Sequence, residues 1–404
     1  MMYSKKNSIR NLGLFLFPLT LALPLPMIYS AIAFNLFIAY LVLTVRKTEI
    51  ATLKKAIFHP IALLFIILFL SDSLNVILIQ DFNNQLFRDV RVPFLIAPII
   101  MLMRADLLKK HYKSALIIFS LSVFIYIITA WGYVFYFYSF KYPNYIFDFT
   151  DHYVVYVLSN EFPYSIHHTY IGMYILIVTV YFFYNTLITK KIKLFTGIIV
   201  SLFFLFNSFY IGGKGTSFLI IAFMLIIISK SLIKNQIKGF IFYLGVFSLV
   251  CLIGLYGIKE WLSISIESSV GFRYDVYIRC IEVIKEIFPF GIGKDGLNNI
   301  LLDSANLSSG ALITHNIYFN ESIINGLLGL LTLLSLLSYL FYKGYRNCTI
   351  FTLFVISIIL IGATEDLLSR QRGVLFFTYL ALLFFINVKG DNENRKHNAI
   401  IEEE

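Results

Sequence analysis

Long apolar runs alternate along the chain with short polar segments rich in lysine and arginine. Ile57–Leu78, Ala115–Phe140, Ile192–Tyr210, Phe218–Ile233 and Ile317–Phe341 are each of a length to cross roughly 30 Å of hydrocarbon. Lipid offers no hydrogen bonds, so a crossing segment must satisfy its own backbone, and such runs are helices. The pattern predicts spans near 12–24, 28–45, 57–79, 92–104, 114–140, 169–188, 192–210, 216–233, 238–257, 317–341, 348–363 and 372–388. The expected fold is all-α: a polytopic membrane protein of about 12 transmembrane helices. Two longer polar segments are expected on the outer side, at 141–168 and 258–316.

Charge orients these spans. With a cytoplasmic N-terminus, every inner segment carries at least two lysines or arginines, from Lys5, Lys6 and Arg10 to Lys343 and Arg346 and then the tail 389–404. The positive-inside rule asks for this, and it places both termini in the cytoplasm. The first apolar run, with Ala31-Ile32-Ala33 behind it, has features of a signal peptide. It continues to Val45, so a retained helix is expected.

Composition agrees with the pattern. Of 404 residues 59% are hydrophobic and 14% charged, with a mean hydropathy of +0.80. A soluble domain runs nearer 45–50% and about 25%. The net charge of +10 follows from topology and calls for no nucleic acid. Three cysteines, Cys251, Cys280 and Cys348, fall in different compartments and imply no disulfide framework. No Cys/His metal spacing occurs, and no metal or cofactor is expected.

Basic residues on the outer side run against the positive-inside rule: Arg88, Arg91, Lys141, Lys214, Lys259, Arg273, Arg279, Lys285, Lys294, Arg370 and Arg372. One reading pairs them with neighbouring acids, Arg88 with Asp89, Arg273 with Asp275 and Arg370 with Asp366. The other gathers some of them around an anion. Gly271–Phe288 reads as an amphipathic helix, with Val276, Ile278, Ile281, Val283, Ile284 and Ile287 apolar and Arg273, Glu282 and Glu286 polar. Such a helix can lie at the membrane interface. Arg273 and Tyr277 share a face at i, i+4. Arginine matches a phosphate bidentately. Arg91 precedes an outer helix start, and Lys214 stands in the glycine turn Gly212-Gly213-Lys214-Gly215, where backbone amides can approach an anion. A glycine hairpin with a snorkelling lysine explains that turn equally well.

His315 stands at the outer start of the helix 317–341, with Thr314 as the expected N-cap. The positive end of that helix favours anions such as phosphate, and a histidine there is suited to act as a general base. An interfacial histidine that only bonds a headgroup is the plainer alternative. The helices hold few deep ionisable residues apart from Asp72, and no internal repeat is evident. Both features weigh against a transporter.

The stretches Gly271-Phe272-Arg273-Tyr274-Asp275-Val276-Tyr277, Pro289-Phe290-Gly291-Ile292-Gly293, His315-Asn316-Ile317-Tyr318 and Gly326-Leu327-Leu328-Gly329 resemble the O-antigen ligase and polymerase superfamily. Those bacterial inner-membrane glycosyltransferases carry G-x-R, P-x-G-x-G and H-N-x-[YF] motifs bordering a large periplasmic loop. The motifs here occupy about 60 residues. The resemblance implies segments 1–257 (nine spans), 258–316 (periplasmic loop), 317–388 (three spans) and 389–404 (tail). Arg273 and His315 match the family's arginine and histidine. Lys214 falls where many relatives have arginine, which keeps the charge but not the planar fork. His167 lies in Ile166-His167-His168-Thr169-Tyr170, similar to an H-P-T-Y stretch with histidine replacing proline. Glu365 falls where relatives carry an acid in the last outer loop.

The implied reaction moves a glycan from an undecaprenyl diphosphate carrier to a sugar hydroxyl, with inversion and without metal or cofactor. His315 would be the base. Lys214, Arg273 and Arg91 would hold the diphosphate, with Tyr277, His167 and Glu365 beside the substrates. The implied partners are the undecaprenyl-diphosphate-linked glycan, a lipid A–core or glycan acceptor, and membrane lipids. The late, long loop favours a ligase over a polymerase. A protein O-glycosyltransferase and a polysaccharide-lipid transporter are the remaining expectations.

Overall fold

The computed structural model describes residues 12–79, 91–141, 152–232, 266–293, 296–297 and 314–403. The expected span 238–257, Cys251, Arg88, Asp89, Asp148, Asp151 and Lys259 lie outside these residues. Among the described residues every regular element is helical. The longer helices are α1 (Leu12–Thr20), α2 (Met27–Leu43), α3 (Pro60–Ile79), α4 (Pro93–Met103), α5 (Ala105–Tyr136), α6 (His168–Leu187), α7 (Leu194–Tyr210), α8 (Lys214–Leu232), α9 (Ile266–Ile287), α10 (Ile317–Asn347), α11 (Thr349–Gly362) and α12 (Gln371–Glu403). Five stretches have the length and composition to cross a membrane: Ala105–Lys141, His168–Leu187, Lys214–Ser231, Ile317–Asn347 and Gln371–Val388. Several others are apolar but shorter.

Exposed apolar residues recur at helical spacing. On α5 they are Ile117, Leu121, Phe124 and Ile128; on α7 they are Phe195, Ile199, Leu202, Phe206 and Phe209. Water would penalise such stripes heavily, whereas lipid accommodates them. The chain is a multi-pass membrane protein.

Two helices run beyond their apolar runs. α5 begins at Ala105, taking in Lys109, Lys110 and Lys113, and α10 continues to Asn347 past Lys343. Alanine, leucine and lysine are good helix formers, so the backbone stays helical where the hydropathy signal stops.

Packing divides the chain into two units that are discontinuous in sequence, Met1–Phe37 with Lys113–Ser265 and Ile38–Tyr112 with Ile266–Glu404. In the first unit α6 is central, with Thr169 to Val180 entirely buried. It meets α7 and α8 through small residues, Gly197 lying against Thr186 and Gly172 against Thr216, as close approach of membrane helices requires. Ser208 donates to Ser217 at 2.9 Å, and Trp131 Nε1 to Asn207 at 2.6 Å.

In the second unit α10 packs on α3, α9, α11 and α12. Phe65, Phe94 and Phe377 bring α3, α4 and α12 together with ring centroids 5.1–6.4 Å apart. At the lower end Arg104 pairs with Glu49 and donates to Thr44 at 3.1 Å. α10 is broken at Gly326, whose φ of 62° and ψ of −153° are not helical. The turn after α9 enters this break: Leu327 N donates to Pro289 O and Ile292 N to Ile323 O, both at 2.8 Å. These bonds replace helical ones, so the kink leaves both groups satisfied.

A Cβ at Gly326 would collide with Pro289 and Phe290 backbone atoms, and only glycine adopts this conformation at low cost. Gly326→Ala is therefore expected to lower the unfolding midpoint in detergent, by about 1–3 kcal/mol or more. Gly132→Ala, where nothing lies within 4 Å of the new methyl group, is the control and should be neutral or slightly stabilising.

Candidate functional site

The second unit gathers most of the expected residues. His315 precedes α10 with a φ of 50°, a left-handed conformation that non-glycine residues adopt only when their surroundings hold them there. Three contacts hold it. Tyr277 on α9 reaches across so that its hydroxyl lies 3.1 Å from the carbonyl oxygens of both His315 and Ala363. Asn316 is extended, and its side-chain oxygen accepts from Tyr318 N and Phe319 N at 2.9 and 3.1 Å. The third contact is Glu365, whose Oε2 lies 3.4 Å from His315 Nδ1.

Asn316, not Thr314, is therefore the N-cap of α10. The helix begins at Ile317, and a cap must stand immediately before it for its short side chain to reach the second and third amides. Thr314 instead donates to the carbonyl of Asn316 at 3.1 Å. The amide of Asn316 also donates to Ala363 O at 3.0 Å, so the α10 cap and the turn after α11 are fixed together.

The His315 and Glu365 side chains are 22% and 14% exposed, within reach of a substrate. With Nδ1 turned to a carboxylate, Nε2 is the nitrogen left to exchange a proton outward. Arg273 lies one turn before Tyr277 on α9, on the same face, and its side chain is outside the described residues.

Beneath this pair lies a buried ionic cluster. Arg91, ahead of α4, pairs with Glu321 of α10, and its Nε lies 3.3 Å from Asp72 Oδ2 of α3. Asn325 donates to Asp72 at 2.7 Å and to Glu321 at 2.9 Å, one amide group spanning two carboxylates. Asp366, next to Glu365, is buried in the field of Arg91 and Glu321. Burial pushes its carboxyl up to about 7, partly offset by Arg91 and reinforced by Glu321. The expected Arg370–Asp366 pair does not form, since Asp366 is buried while Arg370 is exposed.

Glu321 joins Asp72 among the few deep ionisable residues. The apolar helices hold more than one deep ionisable residue, because Glu321 is only 1% exposed inside α10. The signal was the polar series Asn316, Asn320, Glu321 and Asn325 at near-helical spacing. Asp366 had no such signal, because its partners come from distant segments.

In the first unit, His167 stands at the N-cap position of α6 without a capping side-chain bond, and its ring centroid lies 4.2 Å from that of His168. Lys214 opens α8, and its neighbour Gly213 lies against the His168 ring. The fold thus brings the glycine turn and the histidine pair together. Among the described residues no group of three metal-ligating side chains occurs. Comparison with known protein families gives no matching family model, and no curated protein matches the chain.

Arg91→Met leaves buried carboxylates without their cation and is expected to cost about 3–5 kcal/mol, read as a lowered unfolding midpoint. Adding Asp72→Asn should restore part of that loss. For Asp366 the sign follows from linkage. Its folded pKa exceeds the unfolded value, so between about pH 4 and 7 the folded state holds a proton the unfolded chain releases, and stability falls as pH rises. Asp366→Asn should flatten the pH dependence of the midpoint across that window, and an unchanged slope would refute the assignment.

Proposed function

We propose that the protein is a glycosyltransferase of the bacterial inner membrane, working on the periplasmic face. It moves a glycan from undecaprenyl diphosphate to a sugar hydroxyl, as an O-antigen ligase first and a polymerase second. The observation that carries this reading is His315: strained, partly exposed, and backed by Glu365 at 3.4 Å.

In the proposed reaction Nε2 of His315 takes the proton of the acceptor hydroxyl as its oxygen attacks the anomeric carbon. The bond to the diphosphate breaks, and the diphosphate departs with the electron pair. Glu365 favours the imidazolium that forms. Attack opposite the leaving group inverts the anomeric centre. Arg273 is the proposed diphosphate contact, while Arg91 is committed to Asp72 and Glu321 in the buried frame. Tyr277 positions His315 through its carbonyl.

One observation favours a second reading. Asp72, Arg91, Glu321 and Asp366 form the kind of buried charge cluster that marks transport routes in membranes. A transporter of the same lipid-linked glycan would depend on Asp72 rather than on His315.

Lipopolysaccharide from a deletion strain, complemented with native gene, His315→Ala or Asp72→Asn, tests both readings. A ligase deletion leaves core without O-chains while polymer accumulates on the carrier; a polymerase deletion still passes single repeat units to the core. His315→Ala should reduce transfer by about 10²–10⁴-fold with normal protein levels. Full activity of His315→Ala together with loss in Asp72→Asn would overturn the transfer mechanism in favour of transport.

A further inference from the structure

The sequence reads α9 as a helix with one apolar face, but the structure divides its apolar residues into two. Val276, Cys280 and Val283 pack with Leu297 and Ile323, flanked by Ile284 and Ile287, against α10. Tyr274, Ile278, Ile281 and Phe288 point outward, and Phe290 in the following turn is 82% exposed. At 3.6 residues per turn these four share a second stripe with Lys285, while Arg279, Glu282 and Glu286 occupy a third, with both glutamates exposed and Arg279 partly so.

The contacts of α9 fix how it runs. Tyr277 meets His315 and Phe319 near the start of α10, and Pro289 bonds Leu327 further down. Pro289 follows Tyr277 by twelve positions, about 18 Å along a helix axis. α9 therefore descends beside the first third of α10 and does not lie across its end. Depth can be read from the other end of α10. About 20 residues cross the hydrocarbon, and counting that many back from Lys343 reaches Ile323. The Phe288–Ile292 turn, bonded at Ile323 and Leu327, thus sits at the hydrocarbon boundary. Leu328, Leu331 and Leu334 of α10 continue the exposed apolar surface below it.

We propose that this outer stripe is a lipid-binding surface, and that α9 dips C-terminus first into the leaflet nearest the α10 N-terminus. Phe288 and Phe290 enter the acyl layer. Lys285, about one turn higher, extends its ammonium to a phospholipid phosphate. Tyr274, about 21 Å further up the axis than Phe288, stands outside the headgroup layer. Arg279, Glu282 and Glu286 face water. This inference rests on α10 crossing the bilayer and not on the glycosyl-transfer reading, so either can fail alone.

The test uses the full chain in phosphatidylcholine vesicles, with Trp131 and Trp261 replaced by phenylalanine and a single reporter at Phe290→Trp or Glu282→Trp. Lipid brominated along its acyl chains quenches tryptophan only on contact. Phe290→Trp should lose a large part of its emission in brominated vesicles, and Glu282→Trp should be unchanged. If the background does not fold, the same reporters in the wild-type chain, read as difference spectra, give the comparison. Equal emission from Phe290→Trp in both lipids would overturn the proposal. Quenching that disappears as protein density in the vesicle rises would also overturn it, by assigning the stripe to a second copy.

Discussion

A guanidinium taken out of water needs carboxylates around it, and carboxylates taken out of water need a cation; neither is stable alone in a low-dielectric interior. Arg91 meets that requirement with Asp72 from α3 and Glu321 from α10, while Asp366 lies in the same field. Four separate segments of the second unit are bound by this exchange. Its chief consequence is one residue away. Because Asp366 is sunk among the charges, the turn after α11 is held in place, and Glu365 beside it is presented to His315. The weak and accessible pair depends on the buried one.

The second dependence is backbone geometry. A break in a helix leaves amides and carbonyls that must find partners, and at Gly326 the partners come from the turn after α9. That insertion anchors α9 along α10 and so delivers Tyr277 to the carbonyl of His315. A left-handed histidine costs about 1–3 kcal/mol, and the Tyr277 bonds, the Asn316 cap and the Glu365 contact together offset it. The glycine thus supports the conformation of His315 from eleven residues away.

Much of the fold was legible because lipid leaves helices little alternative. Wherever a run such as 192–210 or 348–363 is apolar, a helix follows within a few residues. The ends were less legible, since helix propensity in Ala105–Lys113 continues after hydropathy stops. His315, Glu365 and Tyr277 could be singled out as individuals, and the structure brings these three together. The frame behind them could not be foreseen. Arg91 and Glu321 are far apart in sequence, and nothing local in either segment announces the partner. The two apolar faces of α9 were also hidden, because hydrophobicity alone does not say whether a residue meets protein or lipid.

The contrast between the two polar groups in this unit bears on what each does. In the cluster the strong donors are committed: Arg91 to two carboxylates, and Asn325 to the same two. The atoms without a hydrogen-bond partner, Asp72 Oδ2, Arg91 Nη1, Glu321 Oε1 and Asp366 Oδ1, belong to groups held by attraction between opposite charges. Such an arrangement resists rearrangement, whereas an ion path needs partners that can be exchanged in turn. His315 and Glu365 have a different character, with a 3.4 Å contact between them, partial exposure and a left-handed backbone at His315. A frame is built from buried pairs of opposite charge, and a group open to a substrate from one that stays partly exposed. By that distinction the cluster belongs to the scaffold, and the chemistry proposed for this protein falls to the histidine.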